Sequence, residues 1–185
     1  MIEFNEATHT YTYEGTKVPS VSTIINDLLG ADYTRIDPFY ANRGTAVHKA
    51  VELHLQGRLD ESSMDEHVTP YFEAFQKFES ETGFKVEETE LKVFSKPLWF
   101  AGTLDLIGTI GGKQYLLDIK TGQKQKWHSI QTAGYAIGYG DEQIKRGAIY
   151  LAKNGSYQLQ PHSSNKDFMV FESMAVVYNN RSDYK

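Results

Sequence analysis

The sequence predicts one α/β domain, a mixed β-sheet flanked by α-helices with a β-hairpin at its N-terminus. Three observations carry this. Short segments alternate apolar and polar residues at period two, as half-buried strands do. Other segments open on helix start signals and space their apolar residues by three and four. The two kinds interleave along a chain of 185 residues, 40% hydrophobic and 13% aromatic, enough for one packed core.

The elements follow in order. His9 to Val18 alternates polar and aromatic residues about Glu14-Gly15, a hairpin pattern. Pro19-Ser20 opens an apolar helix from Val21 to Leu29, stopped by Gly30. Asp37 is an N-cap followed by Pro38 at the first helical position, so a helix runs to about Gln56 and ends at Gly57. Thr69-Pro70 repeats that signal, and its helix carries Phe72, Phe75 and Phe78 before stopping short of Gly83. Residues 84–94 alternate as a strand. Residues 98–110 and 113–121 form two more, joined by the turn dipeptide Gly111-Gly112. A helix over about 127–139 places Gln131, Tyr135 and Tyr139 on one face. Residues 146–152 read as a short buried strand, Asn154-Gly155 as a turn, and YQLQ as the next strand. Lys166 to Tyr178 reads as an amphipathic helix. The expected organisation is a single domain over 1–185: hairpin and helix 1–36, core about 37–160, and C-terminal helix about 166–179.

Composition removes several classes of chemistry. The chain has no cysteine, which excludes disulfides, cysteine-based zinc sites and an iron–sulfur cluster held by this chain. No apolar run is long enough to span a membrane, and MIEFNEATHTY is not a signal peptide, so the expected compartment is the cytoplasm. The net charge of -5 is not that of a broadly basic nucleic-acid binder. An acidic chain can still bind a polyanion through cations held by its carboxylates and through local basic clusters, here Lys120, Lys124 and Lys126, and Lys145-Arg146.

The chemistry concentrates in residues 98–121. Asp105 lies within GTLD on one strand, and Asp118 and Lys120 lie within LLDIKTG on its hairpin partner. Side chains two apart on a strand share a face, so Asp118 and Lys120 are co-facial while Ile119 points into the core. Pairing can bring Asp105 beside Asp118. Two adjacent carboxylates in a buried strand need a counter-charge, and a divalent cation such as magnesium supplies one. The ammonium of Lys120 can then orient a water and stabilise charge on an attacked phosphate, and the Ile119 carbonyl is a further candidate ligand. Taken alone, a D-x-K triplet is more often a surface ion pair.

Four segments in order, RGTAVHKAVE (43–52), FAGTLDLIG (100–108), LLDIKTG (116–122) and QTAGY (131–135), resemble the PD-(D/E)xK nuclease superfamily, in particular its RecB-like exonuclease branch. The opening HTYTYEGTKVPSVSTII is similar to phage-encoded standalone members, for which the compartment is the host cytoplasm. The resemblance implies a restriction-endonuclease-like core and a metal-dependent deoxyribonuclease that uses one or two magnesium or manganese ions. It implies metal binding by His48, Asp105, Asp118 and the Ile119 carbonyl. Asp105, Asp118 and Lys120 are the implied catalytic residues, and Gln131 and Tyr135 face the site and contact nucleic acid. Arg43 is a candidate phosphate holder and Glu52 a supporting acid. Thr103 and Thr121 flank the acids, and Glu90, on the preceding strand, can point toward the site but stays outside the ligand set. Leu104 replaces the proline of the family name, which supplies no ligand. No phosphate-binding G-x4-G-K loop accompanies these motifs, so no helicase motor is implied. DNA ends or single strands are the implied substrate, with a single-strand-annealing or recombination protein as a candidate partner and no membrane.

Exonuclease activity leads these readings. A single-strand or structure-specific endonuclease would use the same site. An inactive DNA-binding module should have lost an acid or the lysine, and none is lost. A glycosidase built on Asp105 and Asp118 gives Lys120 and His48 no role.

Overall fold

The computed structural model describes residues 1–6, 8–30 and 37–184. Its first three strands, β1 (Ile2–Asn5), β2 (Thr10–Tyr13) and β3 (Thr16–Val18), form an antiparallel sheet in that order. The expected hairpin is β2–β3, turning at Glu14-Gly15, where both residues take positive φ as a two-residue hairpin turn requires. β1 adds a strand that four residues are too short to announce by periodicity. Next comes α1 (Val21–Leu29), capped by Ser20 Oγ, which accepts the Thr23 amide at 2.9 Å. α2 (Pro38–Leu55) starts at Asp37, whose carboxylate accepts the Phe39 amide at 2.9 Å. A 3₁₀ turn at Glu61–Ser63 precedes α3 (Thr69–Thr82), which ends at Gly83.

The remaining elements build the main sheet: β4 (Lys85–Ser95), β5 (Phe100–Ile110), β6 (Lys113–Lys120), α4 (His128–Tyr139), β7 (Lys145–Leu151), β8 (Tyr157–His162) and α5 (Lys166–Asn180), with a final 3₁₀ turn at Arg181–Tyr184. The five strands lie in the order β4-β5-β6-β7-β8. All neighbours are antiparallel except β6 and β7, which are parallel because α4 carries the chain back across one face. That face packs α1, α4 and α5 through Ile24, Ile25, Ile107, Leu116, Ala136 and Phe171. The other packs α2 and α3 through Val47, Val51, Phe72, Phe75, Phe78, Leu106 and Leu117. The expected mixed sheet flanked by helices is what forms, with a three-stranded sheet in place of a simple hairpin. No helix among the described residues is long and apolar enough to cross a membrane.

The N-terminal sheet is bound to the main one. The Ala101 amide donates to Pro19 O at 3.0 Å, and Tyr11 Oη lies 2.7 Å from Thr103 Oγ1. One glycine is required by close approach. A Cβ on Gly108 would lie 2.4 Å from the backbone oxygen of Lys85 and 2.5 Å from the Phe84 ring. Backbone of a paired strand cannot give way as a side-chain tip can. Gly108→Ala is therefore expected to destabilise the fold by about 3 kcal/mol, read from urea unfolding. A cost near zero would show that β4 slides freely past β5.

Candidate active site

The ladder between β5 and β6 stops at Leu106 and Leu117. Beyond that pair, β5 continues against β4 as far as Phe100, and β6 continues against β7 as far as Lys120. The sheet is forked, and the fork faces α2. Ile119 turns its backbone groups into the gap. Its amide donates to Asp105 Oδ2 at 2.6 Å, and its carbonyl accepts from His48 Nε2 at 3.1 Å. Side chains thus replace the missing strand partner, as buried backbone groups require. The Ile119 side chain packs in the α2–α3 core, as expected.

His48 lies on α2, four residues after Gly44, whose missing side chain brings the helix close to Thr121 Oγ1. Its Nδ1 is 3.4 Å from Asp105 Oδ1. Opposite Asp105 on β4 is Glu90, bracketed by the pairs Thr89–Leu106 and Leu91–Leu104. Glu90 has φ of 50° inside a strand, a conformation rare for any residue but glycine. Ligand atoms of His48, Glu90 and Asp105 all lie within 4.8 Å of one another. Glu90, left outside the expected ligand set, stands in this cluster.

Asp118 lies beside this triad rather than in it. Its Oδ2 is 2.6 Å from Lys120 Nζ, so that buried carboxylate has the lysine as its charge partner. Lys120 Nζ also donates to Gln131 Oε1 at 2.9 Å, and Gln131 Nε2 donates to Tyr135 Oη at 3.0 Å and Ser22 Oγ at 3.3 Å. Gln131 and Tyr135, expected to contact nucleic acid, are both buried; Gln131 holds the lysine, and Tyr135 lines the cavity of Glu90 and Asp105. Arg43 donates to Thr121 O at 3.3 Å, and its guanidinium lies over the rings of Tyr71 and Tyr40 at 4.5 and 5.1 Å. It lines a 540 Å³ cavity with Tyr40, Lys120, Trp127 and His128. Glu52 pairs with Lys49 at 2.7 Å, and its charge adds to those that raise Glu90.

Charge in the fork is finely opposed. Burial alone would lower the pKa of His48, but the Asp105 carboxylate more than offsets this and lifts it to about 9. Burial pushes Asp105 up, while His48, Lys120 and the Ile119 amide together hold it below the ordinary carboxylate value. Burial, then the charge of Asp105, raises Glu90 to about 7. Burial raises Asp118 to about 6 against the pull of Lys120. Buried carboxylates that resist ionisation beside a third that is ionised form a site short of positive charge.

Two histidines nearby carry the opposite pH signature. His128 Nδ1 lies 2.7 Å from Tyr150 Oη, and His162 Nδ1 lies 2.9 Å from Thr132 Oγ1. Burial, then Lys120, lowers His128 to about 3, and burial, then Arg146, lowers His162 to about 4. Unfolded histidine titrates near 6.5. Their contribution to stability is thus complete above about pH 6.5 and is lost as pH falls toward the folded values. Glu90 and Asp118, raised in the fold, act in the other sense and favour folding as pH falls from 7 toward 4. Thermal melts between pH 7 and 4 should show His128→Gln losing less stability than the parent. Equal losses would mean that His128 protonates without unfolding.

Fold and site together define an α/β protein with a forked mixed sheet and an acidic, histidine-containing cluster at the fork. Two solved structures share that fold. One is an alkaline exonuclease from Laribacter hongkongensis, with TM-score 0.52, 13% identity, and coverage of 89% of this chain and 87% of that one. The other is a candidate exonuclease from Eubacterium rectale, with TM-score 0.53, 12% identity, and coverage of 91% and 76%. No family profile and no curated protein matches the sequence.

Proposed function

We propose that this chain, as one domain over 1–185, is a metal-dependent deoxyribonuclease that hydrolyses phosphodiester bonds from DNA ends. The observation that carries the reading is the convergence of His48, Glu90 and Asp105 within 4.8 Å at the fork, with the Asp118–Lys120 pair alongside. The donor set fits a hard divalent ion: carboxylate oxygens, one imidazole and the Ile119 carbonyl. The buried Asp118 carboxylate, paired with Lys120, stands beside that set. Magnesium or manganese, when bound, would supply Lewis-acid stabilisation of the attacked phosphate and lower the pKa of a water.

The chain's own residues do the rest. Lys120, fixed by Asp118 and Gln131, presents an ammonium that orients the attacking water and meets charge developing on the phosphate. Arg43, at the wall of the adjoining cavity, holds a neighbouring phosphate. Asp105 keeps His48 and the Ile119 backbone in place. Preference for ends is supported by the exonuclease activity named for the two neighbours. A single-strand-annealing or recombination protein is the partner we propose for such an enzyme.

The test is incubation with end-labelled linear DNA and with closed circular DNA in magnesium, manganese or EDTA. Metal-dependent loss of the linear form alone is expected. Cutting of the closed circle would make the protein an endonuclease. No cutting of either by folded, metal-supplied protein would overturn the reading.

A further inference from the structure

The cavity at the fork is the middle one of three that adjoin. The 300 Å³ cavity holding Glu90 and Asp105 shares Gly44 and His48 with the Arg43 cavity on one side. On the other side it shares His9, Tyr11 and Ser20 with a 660 Å³ groove between the N-terminal sheet, α1 and the end of α5. The result is one trough across the molecule, with the acid cluster at its centre.

Charge is distributed along the trough in a telling way. The chain has 24 acidic and 19 basic residues. Among the described residues, no carboxylate lines either flanking cavity, while the middle one has two. The outer groove has Lys17 and Arg181. Lys17 is exposed on β3 and Arg181 is ion-paired with Asp27. An acidic surface that clears its carboxylates from two stretches flanking a metal-type cluster matches a polyanion crossing it.

Turns between strands bring further groups to the trough. Among the described residues, four that are not glycine have positive φ: His9, Glu14, Glu90 and Trp99. His9, Glu14 and Trp99 belong to the turns β1–β2, β2–β3 and β4–β5, and Glu90 alone lies inside a strand. Glu90 lines the middle cavity, Trp99 the outer groove and His9 both. Trp99 is clamped there: Asn179 Nδ2 of α5 donates to the carbonyls of Leu98 and Trp99 at 2.9 and 3.2 Å. At Glu90, inside a strand, the surrounding structure enforces the strain, as at ligand-holding positions. The Trp99 indole lies edge-on to Tyr13 and Phe94 and lines the same groove as Lys17, and an aromatic ring with a lysine in one groove can stack a base and meet a phosphate.

We propose that the groove lined by His9, Lys17, Trp99 and Arg181 is a second subsite for a nucleic-acid strand, holding the stretch that continues past the cutting site. The proposal rests on the nuclease reading and extends it: the N-terminal sheet is part of the substrate path, and affinity grows with strand length beyond the fork.

The two tryptophans of the chain make this measurable, because Trp127 lines the Arg43 cavity and Trp99 the outer groove. Trp127→Phe and Trp99→Phe each leave one reporter. Single-stranded oligodeoxynucleotides are titrated in EDTA, where nothing is cut. Strands of about 12 nucleotides should quench Trp99, and strands of about 3 should not. Lys17→Ala, at an exposed strand position, should weaken binding of the longer strand about tenfold and reduce the steepness of its salt dependence by about 0.7. Two results would overturn the inference: Trp99 fluorescence unmoved by a long strand that quenches Trp127, or a salt dependence that Lys17→Ala leaves intact. The nuclease reading fails separately, through absence of metal-dependent cutting at every strand length.

Discussion

Lys120→Ala is expected to slow strand cutting by about 10³-fold, the scale of losing a positioned charge at a reacting phosphate. The fold should survive. Lys120 ends β6 and lines the Arg43 cavity, so truncation widens an existing cavity and opens none in the core. The group left behind is Asp118, whose carboxylate is only 3% exposed. Burial already raises its pKa to about 6, and without the ammonium it takes up a proton instead of standing as a bare buried charge. Circular dichroism and a melting curve beside the cutting assay separate the two effects. Cutting at the parent rate would remove Lys120 from the mechanism, and an unfolded variant would show the ion pair to be structural. Gln131→Ala should give a smaller loss of the same kind, since it frees the lysine without removing it.

Asp105→Asn should abolish the stabilisation that divalent metal gives. At a metal concentration 100 times Kd, the parent gains about 2.7 kcal/mol of stability, read as a rise in melting temperature that EDTA reverses. Asparagine can still accept the Ile119 amide, so the fork keeps its shape while the central charge disappears. Glu90→Gln is the more discriminating variant. As a member of the triad, Glu90 should contribute about tenfold to metal affinity. If Glu90→Gln binds metal like the parent while Asp118→Asn does not, the ligand set is the one read from sequence, and Glu90 serves only the backbone.

Those variants mark where sequence reasoning reached and where it stopped. Helix limits were legible because caps are local chemistry: Ser20 before α1, Asp37-Pro38 before α2 and Gly83 after α3 act within one turn of themselves. The β5–β6 hairpin was legible from Gly111-Gly112 and from alternation on either side. Glu90 was not. The β4–β5 register shifts between Val86 and Glu88, which reverses the face of every later residue, and nothing in KVEETELKVF marks that irregularity. Its positive φ is equally silent, because glutamate does not encode it. Gln131 was placed on the correct helix face, yet its partner, Lys120, lies across a packing interface that helical spacing does not describe. β1 escaped notice for want of length.

The forked sheet has a consequence for how the protein exchanges hydrogen with solvent. An amide in the centre of a five-stranded sheet normally waits for strands to separate before deuterium reaches it. The Ile119 amide is held by a carboxylate, Asp105 Oδ2, and not by a neighbouring strand. Its protection factor follows the charge and hydrogen bonding of that one side chain, while Leu116 and Leu117, paired in the closed part of the ladder, follow the sheet. A single backbone proton buried in the middle of the molecule thereby becomes a clock for events at its surface.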